Sequence, residues 1–163
     1  IKKKKKSIMT LVNFYNNFMK NNSYNTSFYF DMKGGDELAH RLFCFIKTYN
    51  LSINHIICCS FNKKHIDYLK NKIPELSVGL IISNTFNEED TKKILKNINF
   101  LIVEWSMLDK EMIKTCHNNN VSVFTYTMDS YDVFNYIQDF EIDGIVSNYR
   151  LFHSKYGYYY SDF

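Results

Sequence analysis

A carboxylate and an ammonium group stand two residues apart near the start of the chain. Asp31 and Lys33 fall at the end of the β-rich segment 27–32. Side chains two residues apart on an extended strand project to the same side, so we expect these two to lie together. A hard divalent cation prefers carboxylate oxygens and a lysine ammonium stabilises phosphate oxygens, so the pair fits a metal-assisted phosphate site. The alternative is an ordinary ion pair at a strand end.

Further polar and aromatic residues follow the other β-rich segments. Reactive groups in parallel α/β folds gather at the carboxyl ends of the strands, which selects these positions as candidates. They are Ser60, Phe61, Asn62, Ser83, Asn84, Glu104, Trp105, 125–127, Ser147 and Asn148.

The elements that would position these residues alternate regularly along the chain. Predicted strands are 27–32, 56–60, 77–82, 100–105, 121–126 and 144–147, and predicted helices are 36–48, 63–71, 88–96, 109–118 and 130–140. Six strands with five intervening helices predict an α/β fold, either a doubly wound open sheet or most of a (β/α)8 barrel. No G-x-G-x-x-G follows the first strand, which argues against a dinucleotide-binding sheet.

The two ends of the chain are less regular. Apolar residues at helical spacing within 7–26 predict a helix that Thr10 caps and that packs under the first strand. The Tyr-rich residues 149–163 are expected to form either a final helix or a frayed end.

Composition indicates a packed globular domain, which we assign to 1–163. The chain has 163 residues, 45% of them hydrophobic, with 5 Gly and 1 Pro, which excludes a disordered or fibrous composition. The net charge is +3 and a run of lysines at 2–6 carries much of it, so no nucleic-acid partner is predicted. No segment is long and apolar enough to predict a transmembrane span.

The four cysteines have no C-x-x-C spacing, so a zinc site is not predicted. We expect Cys44, Cys58, Cys59 and Cys116 to be small buried residues. Cys58 and Cys59 are adjacent in a strand and should point to opposite faces.

Several segments, in order, resemble those of the glycerophosphodiester phosphodiesterase family. Residues 8–11 resemble its I-P-T-L helix start, 30–34 its strand ending in E-x-K, and 60–62 its S-F-N strand end. Residues 123–125 resemble its V-W-T strand, and 142–148 its V-D-G-I-I-T-D segment. The resemblance covers residue 8 to about residue 150 and implies a (β/α)8 TIM barrel that is incomplete, with about six of eight strands present and the first two βα units missing.

This resemblance also implies roles for individual residues. Asp31 stands where the family has a metal-ligating Glu, and Lys33 matches its phosphate-binding lysine. Phe124 replaces a Trp that lies against the glycerol moiety, and Ser60 and Asn148 are expected in the same substrate pocket. The implied cofactor is a divalent metal ion, Ca²⁺ or Mg²⁺, and the implied partner is a small glycerophosphodiester.

The family's H-R-G, E-N-T and H-D motifs, which supply two catalytic histidines, do not occur in this sequence. None of the histidines present replaces them, and we predict that His40, His55, His65, His117 and His153 are structural or solvated. The resemblance therefore implies a fragment of a metal-dependent phosphodiesterase that forms an alcohol and glycerol 3-phosphate. The alternative is a truncated, catalytically inactive scaffold or binding protein, and coding sequence upstream of Ile1 would distinguish the two.

Overall fold

The fold was analysed in a computed structural model, which describes residues 8–21, 26–84, 88–148, 151–154 and 157–160. The run of lysines at 2–6 lies outside these residues. The strands of the main sheet are β1 (Phe28–Met32), β2 (Ile56–Ser60), β3 (Ser77–Ile82), β4 (Phe100–Glu104), β5 (Ser122–Tyr126) and β6 (Gly144–Ile145). Helices α2 (Glu37–Thr48), α3 (Lys63–Lys72), α4 (Glu88–Leu95), α5 (Lys110–Asn118) and α6 (Tyr131–Ile137) connect them.

All six strands are parallel and pair in sequence order, β1-β2-β3-β4-β5-β6. A doubly wound sheet reverses its strand order at a switch point, whereas a barrel places each strand beside the preceding one. The sequential order therefore selects the second architecture. The chain forms an α/β half-barrel, which corresponds to an incomplete TIM barrel.

The two faces of the sheet bury different sets of side chains. Helix residues such as Leu42, Leu69 and Ile113 share one large apolar cluster with the outer face of the strands. The inner face holds a smaller cluster around Cys59, Ile81 and Ile102, against which partly buried aromatic residues pack. All the helices that contribute to this core thus lie on one side of the sheet.

Short polar side chains fix the helix starts. Asn62, Asp109 and Ser130 each accept a hydrogen bond from a backbone N–H in the first turn of the helix that follows. After α2, α4 and α5 the chain reverses at asparagines with positive φ, a conformation that Asn tolerates better than most residues: Asn50 (46°), Asn97 (61°) and Asn120 (56°).

The amino-terminal helix is confirmed, and the carboxyl-terminal prediction is wrong in part. Helix α1 (Leu11–Phe14) continues as a π-helical turn (Tyr15–Met19), and Thr10 Oγ1 accepts from Asn13 N at 3.2 Å. The described residues within 149–163 form neither of the two predicted structures, a final helix or a frayed end. Instead β7 (Leu151–Ser154) and β8 (Gly157–Tyr160) form an antiparallel pair, because hairpin pairing satisfies backbone groups that a lone extended segment leaves open.

The cysteine prediction holds for three of the four thiols. Cys58, Cys59 and Cys116 are buried, and Cys58 and Cys59 belong to the outer and inner clusters respectively. Cys44 is exposed, which corrects the prediction that it is buried. The buried stripe of α2 consists of Ala39, Leu42, Phe45 and Ile46, and Cys44 lies beside that stripe.

None of the helices in the described part of the chain combines the length and apolarity that crossing a bilayer requires.

Candidate functional site

A cavity of about 250 Å³ opens on the inner face, at the carboxyl ends of the strands. Asp31 and Lys33 line it on the β1 side, and Tyr126 and Thr127 line it on the β5 side. Phe61, just after β2, is 49% exposed, and its ring makes an edge contact with Tyr126 at 6.3 Å between centroids. The cavity thus combines one charged pair with an aromatic wall.

The structure brings Asp31 and Lys33 together, as their spacing predicts. Lys33 Nζ lies 3.0 Å from Asp31 Oδ2, and the side chains are 71% and 33% exposed respectively. An ion pair so open to water contributes little to stability. Both groups remain accessible to a ligand in the cavity.

Two tyrosines beside this pair are neutral hydrogen-bonding groups. Burial, and then the nearby Cys59, raises the pKa of Tyr29 well above its ordinary value. Burial, and then Glu104 and Asp31, raises the pKa of Tyr126, whose hydroxyl donates to the carbonyl oxygen of Ile82 at 3.0 Å. Neither phenol is therefore suited to act as a general base near neutral pH.

Ser60 lies on the other side of the sheet from the cavity. It is 1% exposed, and its Oγ lies 3.0 Å from the Met32 carbonyl oxygen and 2.9 Å from His65 Nδ1. His65 is equally buried, and its Nε2–H donates to the carbonyl oxygen of Gly35 at 2.9 Å. Ser60 and His65 thereby tie the end of β1 and the loop after Lys33 to β2, on the side of the sheet away from the cavity.

Phe124 and Asn148 also lie outside the cavity lining. Phe124 is on the inner face but one step nearer the amino end than Tyr126, and its ring packs on Phe100 with 4.9 Å between centroids. Asn148 contacts Asp129, to which its N–H donates at 2.8 Å and its side-chain amide donates at 2.6 Å. The structure therefore groups Asp31 and Lys33, but not Phe124, Ser60 and Asn148, around one cavity.

The described residues do not by themselves form a metal site. Among them, no group of three or more His, Cys, Asp or Glu side chains is arranged to hold a metal ion. Asp31 offers a hard carboxylate oxygen of the kind that Ca²⁺ and Mg²⁺ prefer. Since such ions take six or more oxygen ligands, this carboxylate fits one position of a site and does not complete it.

None of the described histidines lines the cavity. His40 is on the outer surface of α2, and His55 ends a 3-10 turn before β2. His65 is buried as described above, and the Nε2–H of His117 donates to Asp143 Oδ2 at 2.9 Å. The side chain of His153 lies outside the described residues.

Sequence reasoning named Phe61, Tyr126 and Thr127 among the strand-end candidates but assigned none of them to the substrate pocket. The alternation of side chains along β5 could have indicated Tyr126, because Tyr126 lies on the inner face with Phe124 and two residues nearer the carboxyl end of the strand. Only the folded sheet shows that this step brings Tyr126 to the cavity, whereas Phe124 packs on Phe100 outside its lining.

Comparisons with solved structures reveal the same fold in several phosphodiesterases. A candidate glycerophosphodiester phosphodiesterase from Galdieria sulphuraria is 18% identical, with a TM-score of 0.67 over 79% of this chain and 56% of that one. A phosphodiesterase from Oleispira antarctica, in complex with the product sn-glycerol-3-phosphate, is 16% identical, with a TM-score of 0.63 over 76% and 52%. A glycerophosphodiester phosphodiesterase from Parabacteroides distasonis is 16% identical, with a TM-score of 0.60 over 74% and 51%.

This chain spans about half the length of these structures. A comparison with curated protein sequences finds no significant match. The sequence pattern of the glycerophosphoryl diester phosphodiesterase family, however, matches residues 12–150, which is most of the chain. On this match, the chain belongs to the glycerophosphoryl diester phosphodiesterase family.

Proposed function

We propose that this chain is the carboxyl-terminal part of a metal-dependent glycerophosphodiester phosphodiesterase. The intact protein would hydrolyse glycerophosphodiesters to an alcohol and glycerol 3-phosphate, as part of lipid metabolism. The observation that carries the proposal is the Asp31–Lys33 pair, which lines an inner-face cavity in a chain of this family. The structurally similar Oleispira antarctica phosphodiesterase is in complex with sn-glycerol-3-phosphate, the product that this reaction would release.

Each group of the pair has a distinct role in this proposal. Asp31 is one oxygen ligand of a divalent cation, Ca²⁺ or Mg²⁺, whose other protein ligands come from outside the described residues. The cation neutralises charge on the phosphate when it is bound. Lys33 binds a phosphate oxygen. Its side chain is 71% exposed and can therefore reach a ligand in the cavity.

Proton transfer is assigned to histidines outside the described residues, because no described histidine lines the cavity. In this proposal the domain assigned to 1–163 lacks the first two βα units of the barrel, which carry those histidines. Tyr126 and Phe61 form an aromatic wall of the cavity, against which the substrate would pack. The distribution of histidines also favours a second candidate, an inactive scaffold that retains the half-barrel and binds no phosphodiester.

Binding of sn-glycerol 3-phosphate tests the site directly. We expect the chain, with Ca²⁺ or Mg²⁺ present, to broaden and shift the ³¹P resonance of this ligand. Because a charge-assisted hydrogen bond contributes about 1.5–3 kcal/mol, Lys33→Ala should weaken binding about tenfold or more. Asp31→Ala should weaken it through the loss of a carboxylate ligand to the cation. Only the effect of Asp31→Ala should depend on the metal.

A second ion pair on the chain provides matched controls. Lys64 Nζ lies 3.1 Å from Asp36 Oδ2, with both side chains exposed, and neither residue lines the cavity. Asp36→Ala and Lys64→Ala should leave binding unchanged. Equal affinity in all four variants would contradict the proposed site and favour the inactive scaffold.

A further inference from the structure

A cysteine, a histidine and a tyrosine meet on the outer surface, where α2 packs against α3. The thiol of Cys44 is exposed, and its Sγ lies 3.5 Å from His40 Nε2, one helical turn earlier. The other ring nitrogen, His40 Nδ1, lies 2.7 Å from the hydroxyl oxygen of Tyr68 on α3. This cluster is separated from the cavity by the sheet and plays no part in the proposed phosphodiester site.

We propose that Cys44 is a nucleophilic thiol that exchanges with small anionic disulfides, with His40 as its proton acceptor. A nucleophile within hydrogen-bond reach of a base, which a third group orients, is the arrangement by which proteins activate thiols and hydroxyls. Cys44, His40 and Tyr68 fill these three positions.

The surroundings hold the imidazole in place. The His40 ring contacts the Tyr68 ring edge-on at 6.0 Å between centroids and lies 6.5 Å from the Phe43 ring. When Nδ1 carries the proton, the Nδ1–H donates a hydrogen bond to the Tyr68 oxygen, and Nε2 faces the thiol with a free lone pair. Tyr68 is therefore a positioning residue, because it acts on the thiol through His40.

Charges around the thiol favour an anionic reagent. Arg41 and Lys47 lie three residues before and after Cys44, which places both beside it on the helix surface. Lys72 Nζ lies 6.0 Å from the centre of the Tyr68 ring.

The acidic side chains of α2 and α3 are Glu37 and Asp67, and Asp67 pairs with Lys63 at 2.6 Å. Basic side chains outnumber acidic ones on these two helices, which favours a negatively charged disulfide.

The exchange balances without any further reactant. His40 Nε2 takes the thiol proton as Cys44 Sγ attacks one sulfur of the disulfide. A new S–S bond forms to Cys44 while the S–S bond of the reagent breaks. The departing thiolate takes the proton from the imidazolium, so one thiol and one disulfide are consumed and one of each is formed.

The three other cysteines serve as internal references. Cys58, Cys59 and Cys116 are buried. Burial raises the pKa of Cys59 to about 12 and that of Cys116 to about 11. These thiols should remain unmodified in the folded chain while Cys44 reacts.

The test compares two small disulfides of opposite charge. The folded chain is treated with oxidised glutathione, which is anionic, or with cystamine, which is cationic, and the modified cysteine is identified by peptide mass spectrometry. We expect mixed-disulfide formation at Cys44, faster with glutathione than with cystamine. The rate should exceed that of the same cysteine in the chain unfolded in guanidinium chloride by about tenfold.

Two variants separate activation from mere exposure. His40→Gln should lower the rate about tenfold and Tyr68→Phe by less, with the folded state verified by circular dichroism. His55→Gln, which removes a histidine outside this cluster, should not change the rate at Cys44. An equal rate in folded and unfolded chains, a His40→Gln rate equal to that of His55→Gln, or faster reaction with cystamine would overturn the proposal.

Discussion

Gly79 occupies a position on the inner face where any side chain would collide with its neighbours. A Cβ atom there would lie 2.5 Å from Ile102 Cδ1, 2.9 Å from Cys59 Sγ and 3.2 Å from Phe100 Cβ. We expect Gly79→Ala to lower the free energy of unfolding by about 1–3 kcal/mol, the usual cost of overpacking a core. Urea denaturation followed by circular dichroism measures this change.

Gly35→Ala is the control for that substitution. Its Cβ would also meet an atom closely, Glu37 Oε2 at 2.7 Å, but this atom ends a flexible, exposed side chain that can move away. Gly35→Ala should therefore lower the free energy of unfolding much less than Gly79→Ala does. Equal losses in the two variants would show that the inner face repacks freely around β3.

At the scale of elements, a single carboxylate ties down the end of the short strand β6. Asp129 accepts hydrogen bonds from the Asn148 N–H, the Asn148 amide and the Ser147 hydroxyl, the last at 3.1 Å. Burial alone would raise its pKa, but these hydrogen bonds outweigh burial and hold the pKa below its ordinary value. The carboxylate is thus favoured in the folded chain.

A lowered folded-state pKa gives stability that is present above the unfolded pKa and lost as the pH falls through the folded one. We therefore expect Asp129→Asn to be less stable than the unsubstituted chain at neutral pH. The difference should shrink below about pH 4, where carboxyl groups of ordinary pKa protonate. Urea denaturation across this range measures it.

Asp139→Asn, which changes an exposed carboxyl on the loop after α6, is the matched control and should show no such pH dependence. A stability difference for Asp129→Asn that stays constant with pH would contradict the ionic basis of this tether.

At the scale of the whole molecule, the half-barrel has two sheet edges. In the described sheet, β1 and β6 each pair with one strand only, and Tyr29 of β1 presents a 38% exposed ring on the inner face. Unpaired strand edges with apolar side chains promote association between chains. We expect the isolated chain to self-associate with increasing concentration in sedimentation velocity experiments.

Tyr29→Lys should reduce this association, because an edge lysine opposes strand pairing. Tyr136→Lys on α6, where the ring is 47% exposed on the helix side, should not. A chain that remains monomeric at all concentrations, or equal effects of the two lysines, would argue against association through the inner face and the β1 edge.

The sequence predicted the order of the elements and most of their bounds. Strands β2 and β3 begin and end where predicted, and β1, β4, β5 and β6 each differ from the prediction at one end, by one or two residues. This succeeds because the burial that shapes each element is periodic along the chain, with period two in strands and 3.6 in helices. Asp31 and Lys33 could be paired from sequence for the same reason, since both lie on one strand-end segment.

Tertiary structure decided which side of the sheet each later residue faces and what it meets there. Ser60 ends β2 as predicted, yet Cys59 points inward, so Ser60 turns outward to His65. Tyr126 reaches the cavity, where its ring contacts Phe61, and Phe124 does not, because it packs on Phe100. Cys44 meets Tyr68 only through the packing of α2 on α3, by way of His40. Such contacts join residues that are far apart in the chain, so local sequence patterns do not predict them.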